Sequence, residues 1–299
     1  MKKVKWMMGA LILSMLGTAA YAKCDANAQR LVRAYPDHLK GCRQNRIIWR
    51  DGTKMIYDDG KKKSFDSLLN QADIEDMFHF RYPKGASGYS RSRGPAKNHD
   101  PGRIRNEKFF RKMYGNSAAE VRRHLTKIPW VPRSSGGRYR ITVTRINGVD
   151  RALAAVSRDL DRLVARNPSL KKYLVPPGGG FYWRTIAGTH RLSVHSFGAA
   201  IDINVKHSAY WRWGGKHYRY RNEIPLSIVE IFERHGFIWG GKWYHYDTMH
   251  FEYRPELLGS GRSVPSAGKS AAGAQRPKTR HSSPGSAKKI EELNDGRSL

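Results

Sequence analysis

The sequence predicts an α+β fold, and three observations lead there. Segments with strand and helix character follow one another without the regular alternation of a doubly wound sheet. Short runs of period-two alternation, the mark of strands with one buried face, recur in the second half. One long stretch, Val149 to Arg166, instead carries Leu153, Val156, Leu160, Leu163 and Val164 at helical spacing.

In chain order, Ile47 to Tyr57 reads as two strands around Asp51-Gly52, a strong hairpin signal. Ser64 to Met77 is expected to hold short helices, and Gly85 to Gly94 an exposed loop. Glu107 to Tyr114 and Ser117 to Leu125 look helical before Pro129 and Pro132 interrupt the pattern. Arg138 to Ile146 reads as a strand. Asn167-Pro168 stops the long helix, because a residue before proline disfavours the helical region. Gly178-Gly179-Gly180 is expected to turn the chain into Phe181-Tyr182-Trp183-Arg184. Ala199 to Val205 is a further strand, Leu226 to His235 a helix between Pro225 and Gly236, and His250 to Tyr253 a last strand ended by Pro255.

The ends of the chain bear on its compartment. Lys2, Lys3 and Lys5 precede an apolar run that is shorter than the ~20 residues a spanning helix needs. Ala20-Tyr21-Ala22 then offers a small-x-small cleavage pattern. Residues 1–22 are therefore expected to be a signal peptide, leaving an exported chain, periplasmic or secreted, with no transmembrane span after cleavage. The two cysteines, Cys24 and Cys42, are expected to form a disulfide in that oxidising setting. They are too few for a cysteine zinc site, so any metal must rest on nitrogen and oxygen. From residue 259 the composition turns to Gly, Ser, Pro, Ala, Lys and Arg, which cannot bury enough surface to offset ordering, so 259–299 is expected to be a disordered basic tail.

A formal charge of +30, from 55 Lys+Arg against 25 Asp+Glu, favours an anionic partner. Export and the lack of any nucleic-acid-binding motif argue against nucleic acid. Anionic envelope polymers, met by the basic surface and tail, fit better.

Chemistry concentrates in two stretches. In Ser193-Val194-His195-Ser196-Phe197-Gly198-Ala199-Ala200-Ile201-Asp202, Gly198 permits a bend between His195 and the following strand. Ile201, Ile203 and Val205 share the face that must be buried, so Ala200, Asp202 and Asn204 share the other. A carboxylate inside an apolar strand calls for a charge partner or a metal. In Asp247-Thr248-Met249-His250-Phe251-Glu252-Tyr253, the apolar residues again alternate with His250 and Glu252. Asp247 lies three residues before His250, close enough for a turn to bring the two together. Two imidazoles and one carboxylate leave a fourth position for water, as in catalytic zinc sites.

Ser193-x-His195-x-x-Gly198-x-Ala200-x-Asp202 resembles the first motif of the zinc D-alanyl-D-alanine carboxypeptidase family, which includes vancomycin-resistance peptidases and phage L-alanyl-D-glutamate endolysins. Asp247-x-x-His250-Phe251-Glu252 is similar to its second motif. The resemblance covers roughly residues 175–255. It implies a Hedgehog-like antiparallel sheet flanked by helices, and Zn2+ held by His195, Asp202 and His250. It also implies Asp247 as general base, and Arg184 and Ser193 as substrate-binding residues, with Arg184 stabilising the oxyanion. The implied activity is hydrolysis of a peptide bond in peptidoglycan stem peptides, either D-Ala-D-Ala or L-Ala-D-Glu. Carboxypeptidase members often carry Glu at the base position, so Asp247 looks closer to the endolysin branch.

Other readings stand beside this one. His245, two residues before Asp247, is an alternative base or a substrate-positioning group, and Glu252 a partner that orients a ligand histidine. His190, His207, His217 and His235 read as surface residues. Trp183, Trp211, Trp213, Trp239 and Trp243 read mostly as core, with a sugar or peptide groove as the alternative. A non-catalytic, zinc-stabilised wall-binding protein is the competing function. The expected organisation is an accessory region at 23–130, a peptidase domain at 131–258, and the tail.

Overall fold

The computed structural model describes residues 24–259; the expected signal peptide and the tail from residue 260 lie outside them. Helix α1, Ala26–Ala34, starts at Asp25, whose carboxylate accepts from the Ala28 amide at 2.8 Å and so satisfies one of the free first-turn donors. Cys24 and Cys42 are disulfide-bonded, with Cα atoms 5.7 Å apart, tying the start of α1 to strand β1, Leu39–Arg43. β2, Arg46–Trp49, and β3, Lys54–Ile56, complete an antiparallel meander in the order β1-β2-β3. This contains the hairpin read from the sequence: Ile47 faces Met55, and Gly52 at the turn has φ +85°.

Next come α2, Phe65–Gln71, then α3, Glu107–Tyr114, and α4, Ala118–Arg122. Helical character ends sooner than expected here. Leu125, expected in a helix, opens strand β4, Leu125–Pro129, which pairs with β5, Arg140–Thr144, through Ile128 and Ile141. Local pattern could not reveal this, since the pairing partner lies beyond Pro129, Pro132 and the short helix α5, Pro132–Ser135. The two-stranded sheet thus bridges residue 130.

Helix α6, Val149–Arg166, buries Leu153, Val156, Leu160 and Val164, the face the periodicity marked, and ends at Asn167 before Pro168. It packs on β4, β5 and α7, Leu226–Arg234, and α7 in turn lies against the third sheet: β6, Ala200–Asp202; β7, Phe237–Trp239; and β8, His250–Tyr253. The order is β6-β8-β7, all antiparallel. A single apolar cluster extends from Ala28 to Leu258 and includes Trp130, Leu160, Phe232 and Phe251. Phe232 of α7 stacks on Phe251 of β8 with ring centroids 3.7 Å apart. The described residues are therefore mixed helix and small antiparallel sheets, and none of their helices is long and apolar enough to cross a membrane.

Two local expectations are corrected. Val205 is exposed rather than in the core with Ile201 and Ile203, because the strand has ended by then. Asn204 ends it: its side chain accepts from the Lys206 amide and donates to the carbonyls of Lys172 and Val175. Gly178 to Gly180 does bend, at Gly180, but as a segment paired between β5 and β6 rather than as a free turn. Gly179 bridges Asp202, and a side chain on Gly180 would meet the Thr142 carbonyl oxygen at 2.2 Å. Glycine is required there by close backbone approach.

Candidate metal centre and catalytic cleft

The candidate centre is assembled from one short turn and one strand pair. His195 sits in the single 3-10 turn Val194–Phe197. The Ser193 hydroxyl caps that turn by accepting from the His195 amide at 3.4 Å, and Gly198 ends it at φ +66°. A side chain on Gly198 would meet Leu125 and the Thr144 backbone within 3 Å, so the bend anticipated at this glycine also docks the turn on β5. Asp202 and His250 are direct cross-strand partners in β6 and β8, which puts their side chains on one face.

Three atoms converge. His195 Nε2, His250 Nδ1 and Asp202 Oδ1 form a triangle with every side 3.1 Å. The outer nitrogen of each imidazole is already committed. His195 Nδ1 donates to the Gly180 carbonyl at 2.6 Å, and His250 Nε2 donates to Glu252 Oε2 at 3.2 Å. Those bonds aim the remaining nitrogen of each ring inwards, as second partners do at metal sites. In tetrahedral zinc sites, ligand atoms about 2.0–2.2 Å from the ion stand roughly 3.3 Å apart. The donor set and its spacing fit zinc.

The electrostatics agree. Two carboxylates, Asp202 and Glu252, flank His250 and raise its pKa to about 10 against the opposing effect of burial. Asp202, although buried, is held well below the usual carboxylate range by His195 and His250. Three acceptors directed at one point attract positive charge. In the metal-free protein a proton on His250 answers that attraction, and a divalent cation would answer it better.

Asp247 lies in the turn before β8; its carbonyl accepts from the His250 amide at 3.2 Å. Burial, then the charge of Asp202, raise its carboxyl to about 7, while His250, His195 and Arg184 act in the opposite direction. Its Oδ1 is buried with no hydrogen-bond partner among the described residues. Such an atom is costly to leave alone and is a ready acceptor for a proton from solvent or substrate. Arg184 is exposed, with its backbone fastened beside the centre: its amide donates to Ser196 Oγ, and its carbonyl accepts from the Ser193 amide, both at 3.0 Å. The Arg184 charge is close enough to draw the Asp247 carboxyl downwards.

Behind the centre runs a buried ladder of charges that the sequence reading saw only at Glu252. On alternate residues of the last strand and its extension, Glu252 holds His250, and Arg254 bonds both Glu252 (3.1 Å) and Glu256 (2.5 Å). Tyr35, the residue after α1, donates to Glu256 at 2.6 Å. Arg105 approaches Glu252 at 3.9 Å, and Arg254 donates to the Gly102 carbonyl. The i, i+2 spacing of His250, Glu252, Arg254 and Glu256 was a visible signal; that both Arg254 and Glu256 turn inwards was not.

His245 does not join the triangle. Its Nδ1 and amide bond the two oxygens of Asp100, at 2.6 and 2.9 Å, and its ring meets Trp211 edge-on. Asp100, fully buried and also paired with Arg103, was not anticipated, because it lies far away in the 23–130 part. Trp239 and Trp243 are core residues as expected, whereas Trp213 is 54% exposed.

Residues 187–253 match the D-alanyl-D-alanine carboxypeptidase family model. The resemblance read from the two motifs is therefore supported independently. The matched segment spans His195, Asp202, Asp247 and His250 and begins just after Arg184. No curated protein matches the chain. The matched segment thus comprises the candidate metal triangle, β6, α7, β7 and β8, while β4, β5 and α6 precede it.

Proposed function

We propose that this protein is a zinc-dependent peptidase that hydrolyses a peptide bond in peptidoglycan stem peptides. The observation that carries the reading is the 3.1 Å triangle of His195, Asp202 and His250 with the unpartnered Asp247 carboxyl alongside. His195, Asp202 and His250 would hold the ion, with Gly180 and Glu252 fixing the two imidazole tautomers. Zinc, when bound, would supply Lewis-acid polarisation and make the attacking water more acidic. Asp247 takes the proton of the attacking water and returns it to the amine nitrogen as the C–N bond breaks. Arg184 meets the carbonyl oxygen, on which negative charge develops. Ser193 acts through the turn it caps.

Export through the signal peptide at 1–22 and the +30 charge bring the protein to an anionic wall. The test is digestion of purified peptidoglycan by the mature protein with and without a zinc chelator, with fragments read by mass spectrometry. Chelator-sensitive release of defined peptides is expected, and their ends name the bond, D-Ala-D-Ala or L-Ala-D-Glu. Zinc-loaded protein that binds wall but releases nothing from it, nor from soluble muropeptides, would overturn the reading in favour of a non-catalytic wall-binding protein.

A further inference from the structure

Asp247 has a neighbour that neither motif contains. Tyr210 forms an antiparallel bridge with Asp247. The bonds around that bridge are Trp211 N to Tyr246 O (3.0 Å) and Thr248 N to Ala209 O (2.9 Å). They flank the pair without joining it. This is the non-hydrogen-bonded kind of antiparallel pair, the closer of the two kinds, with both side chains on one face. The Ala209 amide also donates to Thr248 Oγ1 at 2.7 Å, which pins the register.

A carboxylate ends two bonds beyond its Cβ, whereas a phenol hydroxyl lies at the far end of a ring. With both side chains on one face, the Tyr210 ring lies beside the Asp247 carboxyl, whose charge acts on its hydroxyl. Trp211 and Trp213 meet that ring edge-on, at centroid distances of 6.1 and 5.9 Å, and fix its direction. The hydroxyl makes no hydrogen bond to any described residue, and the adjacent Asp247 Oδ1 is equally unpartnered, so the two do not satisfy each other. Burial, then the Asp247 charge, hold the phenol above its usual range, while Arg212, Arg103 and Arg184 draw it the other way. The phenol accordingly keeps its proton at neutral pH and lies within electrostatic reach of both groups that act on the substrate.

We propose that Tyr210 is a further catalytic residue, whose hydroxyl donates a hydrogen bond to the scissile carbonyl oxygen from the Asp247 side while Arg184 approaches from the His195 side. This rests on the peptidase reading above. In the step it serves, the water oxygen bonds to the carbonyl carbon, the carbonyl π pair moves onto oxygen, and Asp247 receives the proton. The oxyanion pair then re-forms the carbonyl as the C–N bond breaks, with that bond's electron pair on nitrogen, which takes the proton from Asp247. Tyr210 keeps its own proton throughout and binds the oxygen most tightly when that oxygen is negative. Such a donor raises kcat rather than lowering KM.

The experiment compares wild type and Tyr210→Phe, both zinc-loaded, on a soluble muropeptide that the wild type cleaves. The variant keeps the ring and removes only the hydroxyl. Expected are a kcat lower by about 10- to 100-fold, a KM within about twofold, unchanged zinc content and unchanged Tm. A phosphinate peptide analogue of the tetrahedral state is expected to bind the variant weaker by a similar factor, with product peptide binding unchanged. A variant with wild-type kcat, or one changed only in KM, would overturn the assignment while leaving the peptidase reading intact. A wild type inactive on every muropeptide fails the peptidase reading itself, and the assignment with it. A variant that loses zinc or stability would mark Tyr210 as structural and also overturn it.

Discussion

Among the described residues three groups gather ligand-type side chains within 4.8 Å of one another, two of them sharing Asp73, and the two places are built to opposite ends. Near the N-terminal sheet, Asp59, Asp73 and Asp76 surround Lys63, whose ammonium lies 2.8, 2.9 and 2.6 Å from the three carboxylates. The chain supplies its own cation there, and Lys63 is buried and held charged. At the other cluster, no lysine or arginine among the described residues forms an ion pair with Asp202, whose close partners are two imidazoles. Each imidazole turns its lone pair inwards because its outer nitrogen is occupied. The difference lies less in how many ligands gather than in whether the fold answers them from within. A cluster neutralised by its own lysine is a clasp, and one that directs three acceptors at a single point invites a cation from outside.

The sharpest way to break the comparison is at the catalytic step. Asp247→Ala is expected to reduce kcat by about 10²- to 10⁴-fold with zinc content unchanged, since it removes a base and not a ligand. Turnover on a muropeptide beside metal analysis checks this, and loss of zinc would recast Asp247 as a ligand.

Swapping the logic of the clasp comes next. Lys63→Ala leaves three carboxylates without their cation, a loss on the order of 3–5 kcal/mol for a buried pair broken on one side. Denaturant unfolding should show that loss with zinc stoichiometry unchanged, and millimolar Ca2+ should restore part of it in the variant alone. A calcium response in the wild type as well would deny that Lys63 fills the cluster.

Glu252→Gln tests how far the outer partner matters. It loosens the tautomer of His250 and is expected to weaken zinc binding about 10- to 100-fold, measured by competition with a chromophoric chelator. Unchanged affinity would show that Glu252 serves the Arg254 ladder only.

The smallest effect is in pH. His250 is raised from 6.5 to about 10 in the metal-free protein, so its contribution to stability is full below pH 6.5 and is lost as pH rises towards about 10. Zinc replaces that proton, so the increase in Tm on adding zinc should grow across the same window, by roughly a few °C. A zinc increment that stays flat from pH 6.5 to 10 would mean that ion and proton do not compete.

Much of the centre was readable because strand periodicity is strict. Ile201 and Ile203 had to face inwards, which left Asp202 on the other face, and Phe251 did the same for His250. Gly198 announced its bend because few residues other than glycine adopt φ +66° at little cost. The long helix α6 was legible from its apolar spacing alone, and the β2–β3 hairpin from Asp51-Gly52. By contrast, Leu125 departs from its expected helix because a strand's partner is not a local property, and Val205 from the core because the strand ends at Asp202, three residues early, where Asn204 turns the chain.

The amino-acid sequence by itself therefore determined which residue types could gather a cation and on which face of each strand they stood. That follows from covalent geometry, since side chains alternate along any strand. Only the tertiary structure decided the rest: that Asp202 and His250 sit opposite each other in register, and that the Gly180 carbonyl orients His195. It also decided that Asp100, Gly102 and Arg105 pass behind the centre from far away in the chain, and that Tyr210 stands beside Asp247. Each of these is a contact between residues distant in sequence, set by how the sheets and helices bury their apolar faces together, and no local pattern encodes it.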